Sequence, residues 1–173
     1  MSTPHLTTET GNNEWYTPPD IIEAARACMG GIDLDPASCD AAQKIVRAKN
    51  YYTIADDGLT QEWRGRVWLN PPYDRVNLPK FIKKLHREFL AGRTTEALVL
   101  VNNITETAVG QSLILHSPHM CFFKGRIAFI GPDGKPVRNN PRGQILFYYH
   151  HNPRRIEYPV NFYHAFNAFG QCR

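Results

Sequence analysis

An α/β fold in a single domain, with a mostly parallel sheet and an antiparallel hairpin at its end, is predicted by three features of the 173-residue chain. Segments with helical periodicity alternate with short apolar runs as far as residue 101. Ala97-Leu98-Val99-Leu100-Val101 is an unbroken aliphatic run, as a strand covered on both faces requires. Two strand-like stretches, Met120 to Ile130 and Gln144 to Tyr149, then flank the turn-rich Gly131-Pro132-Asp133-Gly134-Lys135-Pro136, the pattern of a long hairpin. The length suits one buried core and not two.

Residues 1–13 are polar, rich in Thr and Asn, and are expected to form a flexible segment. Thr17-Pro18-Pro19-Asp20 opens a helix from Ile21 to Met29, because proline is tolerated in a first turn and an acid there suits the dipole. Gly30-Gly31 stops it, and a short strand over Ile32-Asp33-Leu34 ends at Asp35-Pro36. Ala37 to Ala48 is a second predicted helix with Ser38 as its cap, followed by a strand at Asn50 to Thr53 and a turn at Asp56-Asp57-Gly58-Leu59. Arg66 to Leu69 is an apolar strand ending abruptly at Asn70-Pro71-Pro72-Tyr73. Leu78 to Leu90 forms an amphipathic helix: Phe81, Ile82, Leu85, Phe89 and Leu90 face the core, and Lys80, Lys83, Lys84 and Arg87 face out. Thr107 to His116 is a further helix, and the aromatic, basic tail beyond His150 has no clear element.

Composition narrows the function classes. Hydrophobic residues at 42% and charged residues at 21% exclude wholesale disorder. No apolar run approaches the ~20 residues that span a bilayer, and the first ten residues lack the basic start and apolar core of a secretory signal. A cytoplasmic protein with no membrane partner is expected. Cys28, Cys39, Cys121 and Cys172 form no C-x-x-C pair and read as free thiols. The net charge of +4 permits a polyanionic partner without requiring one. His116, His119 and Cys121 lie close together, but without a second matching pair, so no metal is expected. Arg126, Arg138 and Arg142 cluster around the hairpin and are the candidates for phosphate contact.

The residues with the clearest chemistry are Asn70, Pro71, Pro72 and Tyr73. In an α/β sheet, ligands bind beyond the carboxyl ends of the strands, where this turn and Asp35-Pro36 are both predicted to lie. Two prolines set a rigid backbone, Asn supplies an amide and Tyr a flat ring. An exocyclic amine on a planar base is a poor nucleophile because its lone pair is delocalised. Acceptors against its two N–H groups, here the Asn70 side-chain oxygen and the Pro71 carbonyl, draw it toward tetrahedral geometry, while Tyr73 stacks on the base.

Asn70-Pro71-Pro72-Tyr73 at a strand end resembles the catalytic motif of S-adenosylmethionine-dependent amino-methyltransferases. The wider pattern is Glu14-Trp15-Tyr16-Thr17-Pro18, Asp33-Leu34-Asp35-Pro36-Ala37-Ser38, Asp57-Gly58-Leu59 and Trp68-Leu69-Asn70-Pro71-Pro72-Tyr73. In that order it is similar to the phage-type Dam family of DNA adenine-N6 methyltransferases. The resemblance implies a Rossmann-like methyltransferase domain over residues 14–173, S-adenosylmethionine as donor and double-stranded DNA as partner. It places Trp15, Tyr16, Thr17 and Pro18 against the donor's methionine end, and Asp35, Pro36, Ala37 and Ser38 near its amino group or ribose. Asp57 would meet the donor's adenine amine, with Leu59 packing nearby. A bacterial or phage-infected host cytoplasm is the implied location.

Two features depart from the family's pattern. Ala37-Ser38-Cys39 stands where glycines often follow the acidic turn, and no acid lies between Ala41 and Ile54, where Asn50 is a substitute by position only. Methylation of RNA or of a protein glutamine, and an inactive DNA-binding protein of the same fold, remain the alternative readings. Structural alternatives also stand beside the individual residues: Asp57 as a turn aspartate, Asp35 as a capping acid, and Trp15 as an anchor for the terminus.

Overall fold

The computed structural model describes residues 15–137, 140–151 and 157–173. The expected flexible segment 1–13, Glu14 and Arg138 lie outside them. In chain order the elements are α1 (Pro19–Met29), β1 (Leu34–Asp35), α2 (Asp40–Val46), β2 (Asn50–Tyr51), β3 (Gly65–Leu69), α3 (Asn77–Leu90) and β4 (Thr94–Asn102). They continue with α4 (Ala108–His116), β5 (His119–Phe123), β6 (Gln144–His150), α5 (Glu157–Phe166) and β7 (Gly170–Cys172). Proline at the first position of α1 has no N–H to leave unpaired, and Gly30 ends the helix at φ 73°. Thr107 caps α4, its Oγ1 accepting from the Gly110 N–H at 3.0 Å.

Among the described residues one sheet carries seven strands in the order β2-β1-β3-β4-β6-β5-β7. The first three pairings are parallel and the last three antiparallel. The sheet is therefore mixed, where a mostly parallel one was expected. The reason is topological: β5 does not extend the sheet from β4. Instead β6 inserts between them, antiparallel to both, and the C-terminal β7 adds a further antiparallel edge.

Side chains alternate across this sheet as strand geometry dictates. Trp68, Leu98, Leu100, Leu146 and Tyr148 join one buried cluster with Ile21, Ile22 and Ala25 of α1 and Phe162 and Phe166 of α5. Val67, Leu69, Ala97, Val99, Val101, Ile145 and Phe147 point the other way, onto Phe81, Ile82 and Leu85 of α3 and Leu113 of α4. Burying each large apolar side chain contributes ~1.5–3 kcal/mol. Two residues of α3 depart from the sequence expectation. Leu90 is exposed, at the last turn of the helix. Lys84 is buried because Glu88, one turn on, holds its Nζ at 2.7 Å, and Arg93 also binds that acid. Helix α2 begins only at Asp40, so Ser38 precedes it and does not cap it.

The topology collects the loops on one edge. β1, β3 and β4 run parallel, so Asp35, Asn70 and Asn102 emerge side by side at their carboxyl ends. β5 ends on the same edge and β6 starts there, with Gln144 opposite Asn102. The described parts of the segment between β5 and β6, residues 124–137 and 140–143, therefore cross this edge. The opposite edge is tied by Arg66, which donates to both oxygens of Asp33 (2.7 and 3.0 Å) and to the Met29 carbonyl at the end of α1 (3.1 Å). That contact, the larger cause, and the Lys49 ammonium hold the Asp33 carboxyl well below the usual carboxylate range.

Candidate active site

Asn70 follows β3 and shares the face of Trp68. Its Nδ2 donates to the Trp15 carbonyl at 3.1 Å and reaches Thr17 Oγ1 at 3.4 Å. A carbonyl only accepts, so the amide nitrogen must be the end that faces Trp15. The side-chain oxygen is thereby turned toward Tyr73, whose hydroxyl donates to it at 2.5 Å and also lies 3.2 Å from the Leu100 carbonyl. Burial pushes the Tyr73 hydroxyl far above its ordinary range, so it stays protonated. Its ring packs against the cluster beneath α3.

Trp15 to Pro18 forms a strap over the end of β3. Tyr16 exchanges two backbone hydrogen bonds with Ile130, at 2.9 and 2.8 Å, and the half-buried Trp15 ring meets Phe129 edge-on. Thr17, within the strap, is buried. The excursion between β5 and β6 thus clamps the strap, and the strap clamps Asn70.

Asp35, at the end of β1, is buried, and this burial pushes its carboxyl up to about 6. Gln43 Nε2 donates to its Oδ2 at 2.9 Å, and the Ala37 N–H reaches Oδ1 at 3.4 Å. The Asp57-Gly58-Leu59 turn lies directly on the Asp35-Pro36 turn: a Cβ on Gly58 would sit 2.1 Å from the Pro36 carbonyl oxygen. Buried Trp63 fixes the turn from below by donating from Nε1 to the Gly58 carbonyl at 2.8 Å. Asp57 is exposed, with φ 48°, and Leu59 packs on Trp63's cluster. Asn50 stands at the start of β2, exposed and away from the carboxyl edge; the carboxyl end of β2 leads instead to Asp56, which binds Thr53.

Arg126 and Arg142 are both exposed, and Arg126 reaches the residue after Arg142: a Cβ on Gly143 would lie 2.8 Å from Arg126 Nη1. They flank the carboxyl edge, where the Asn103 N–H donates to Gly143 at 2.7 Å. An open groove of about 360 Å³ runs beside the strap, between Pro18 of the strap and Ile21 of α1 on one side and Lys124, Arg126 and Phe169 on the other; its lining does not include Asn70. Among the described residues no three His, Cys, Asp or Glu side chains form a metal-holding group, and no helix is long and apolar enough to cross a membrane.

Comparison with known proteins names the family. The profile of the DNA N-6-adenine-methyltransferase (Dam) family matches residues 5–169. The chain belongs to the Dam family. It is similar to the DNA N-6-adenine-methyltransferase of Escherichia phage T1, 28% identical over an alignment of 149 residues, with 77% of this chain and 60% of that protein covered. It is also similar to the DNA N-6-adenine-methyltransferase of Haemophilus phage HP1, 29% identical over 149 residues, with 84% and 83% covered. The chain thus spans less than two thirds of the T1 protein's length. No solved structure gives a significant match.

For this Dam-family chain, the structure brings Trp15, Thr17, Asn70 and Tyr73 into one bonded cluster, and Asp35, Pro36, Ala37, Ser38, Asp57 and Leu59 into a second one beside it. Two residues at the site escaped the sequence reading. Trp63 carried a signal, as a lone tryptophan shortly after a turn. Gln43 carried none, because a glutamine within a helix is unremarkable until its partner is seen.

Proposed function

We propose that the protein transfers a methyl group from S-adenosylmethionine to N6 of adenine in double-stranded DNA, on a Rossmann-like methyltransferase fold. The observation that carries this reading is the carboxamide of Asn70, whose nitrogen is held by the strap so that its oxygen faces the Tyr73 hydroxyl at the carboxyl edge, one strand over from the buried acid Asp35. The donor's chemistry fits the second cluster. Its ribose hydroxyls or ammonium group need an acceptor, which Asp35 supplies; its adenine needs an apolar wall and an acceptor for its amine, which Leu59 and Asp57 supply. When bound, the donor supplies an electrophilic methyl carbon on a sulfonium.

The chain's own residues do the rest. In a duplex the target amine is paired and stacked, so the base must be extruded into the site. Asn70 Oδ1 and the Pro71 carbonyl accept its two N–H bonds and localise the lone pair on nitrogen, with Pro71 and Pro72 fixing the backbone of the turn. Tyr73 stacks on the ring, which requires its hydroxyl to release Asn70 Oδ1 in favour of the incoming amine. The N–C bond forms as the C–S bond breaks, and one proton leaves the positively charged product nitrogen, so no strong base is needed beforehand. Arg126, Arg138 and Arg142 contact phosphates on the DNA. The bacterial cytoplasm, where phage DNA and donor are both present, is the setting.

The test is incubation of the purified protein with methyl-labelled donor and unmethylated plasmid, followed by nucleoside mass spectrometry. N6-methyladenine is the expected product. Donor binding without labelled DNA would redirect the reaction to RNA or a protein glutamine, and absence of both binding and product would mark an inactive DNA-binding protein.

A further inference from the structure

Gln43 lies on α2, one layer behind the residues assigned to the donor. Its Oε1 accepts from the Ala48 N–H at 2.9 Å. A backbone N–H only donates, so the orientation of this amide is decided: the nitrogen must face the other way. There Nε2 donates to Asp35 Oδ2 at 2.9 Å and to Ser38 Oγ at 2.8 Å, using both of its hydrogens. The second oxygen of Asp35 receives the long 3.4 Å contact from the Ala37 N–H, and the Ser38 side chain hydrogen-bonds the carboxyl as well.

We propose that Gln43 is a positioning residue, which through Nε2 fixes the Asp35 carboxylate, as an anion, for a hydroxyl or ammonium group of the methyl donor. This rests on the reading of Asp35 as a donor contact. No cation shares the task. The charged and titratable groups on the elements around Asp35 are Asp40 and Lys44 of α2, Tyr51 of β2, Arg66 of β3, and Asp56 and Asp57 of the overlying turn. Among the described residues none forms an ion pair with it: Tyr51 donates to Asp40, Arg66 is bound to Asp33, and Asp56 accepts from Thr53. The carboxyl group is pushed up to about 6 by burial and pulled back by hydrogen bonds from Ser38, Ala37 and Gln43. Without Gln43 it moves further toward neutrality, and an acid that is protonated loses an acceptor where the donor needs one.

The experiment follows the Asp35 carboxyl by carbon-13 NMR from pH 4 to 9 in the wild type, Gln43→Met and Gln43→Glu. In parallel, S-adenosylhomocysteine is titrated calorimetrically into each protein at pH 5.5 and 8.5. Gln43→Met is expected to raise the Asp35 midpoint by about one pH unit. Affinity for S-adenosylhomocysteine then falls roughly eightfold at pH 5.5 and returns to within about twofold of wild type at pH 8.5. Gln43→Glu keeps the bond to Ala48 and sets a second carboxyl against Asp35, so it shifts the midpoint further and serves if the Met variant does not fold. An unmoved midpoint overturns the proposal. So does a loss of affinity that is equal at both pH values, which would mark a merely structural role. Asp35→Asn separates the other failure: if it binds S-adenosylhomocysteine as tightly as wild type while the Gln43 variants still shift the midpoint, the assignment of Asp35 to the donor is what has failed.

Discussion

The orientation of one carboxamide decides the chemistry at the residue scale. Asn70 works as an acceptor only while its nitrogen is held elsewhere, and the Trp15 carbonyl at 3.1 Å and Thr17 Oγ1 at 3.4 Å hold it. Asn70→Ala removes the acceptor that strengthens toward the transition state, and is expected to lower the methylation rate about a thousandfold. Because Asn70 is bonded to the strap and to Tyr73 and makes no bond to the Asp35 cluster, donor affinity should stay within about twofold; calorimetry with S-adenosylhomocysteine measures it. A near-normal rate would remove Asn70 from the mechanism. Thr17→Val deletes one weak restraint while the Trp15 carbonyl remains. A single such hydrogen bond is worth about 1 kcal/mol, so kcat is expected to fall roughly fivefold with KM for the donor unchanged. Thr17→Ser should recover it. If KM for the donor rises instead, Thr17 belongs to the donor's methionine end, as the family resemblance implies.

The elements that build the site were legible to different degrees, and a close approach between two turns shows why. Asp35-Pro36 and Asp57-Gly58-Leu59 could each be read as turns from their own residues, but their stacking comes from the parallel pairing of β1 with β2 and β3, a long-range fact. Gly58→Ala would set a methyl group 2.1 Å from the Pro36 carbonyl oxygen and force the turns apart. It is expected to destabilise the fold by about 1–3 kcal/mol in denaturant titration. Donor affinity should drop about tenfold with it, as Asp57 and Leu59 are displaced together. Retained affinity would show that this turn does not touch the donor. The same distinction runs through the fold. Compact apolar runs revealed β3 and β4, and amphipathic spacing revealed α3, because those signals are local. The insertion of β6 between β4 and β5 was not legible: Ile145 to Tyr149 is apolar on both faces and suits any central position. The tail did hold a signal, since Phe162 and Phe166 are spaced for one helix face, and both are buried under α1 in the first cluster. Lys84 and Glu88 likewise have the i,i+4 spacing of the buried pair they form.

For the whole molecule, charge is divided between the two edges of the sheet. The amino edge is closed by the Asp33–Arg66 pair, whereas the carboxyl edge holds an acid without a cation and presents Arg126 and Arg142 to solvent. If those arginines meet phosphates, alanine at both should reduce the slope of log affinity for DNA against log salt by about two, and an unchanged slope would return them to the solvated surface. The unpaired acid has a consequence for stability as well. Asp35 is pushed up to about 6 in the fold, from an ordinary carboxyl value near 4. The folded state therefore holds this proton more tightly than the unfolded chain does, and stability falls as pH rises through that interval. Above about pH 6 the ionised, buried carboxylate costs on the order of 3 kcal/mol, and below about pH 4 the cost is absent. Asp35→Asn keeps an oxygen for Gln43 Nε2 and carries no charge. It should melt at a higher temperature than wild type at pH 8, with the gap closing as the pH approaches 4, while binding of S-adenosylhomocysteine is lost. Thermal unfolding followed by circular dichroism across that range is the measurement. A variant less stable than wild type at pH 8 would mean that the ionised carboxylate is better satisfied in the fold than its burial implies.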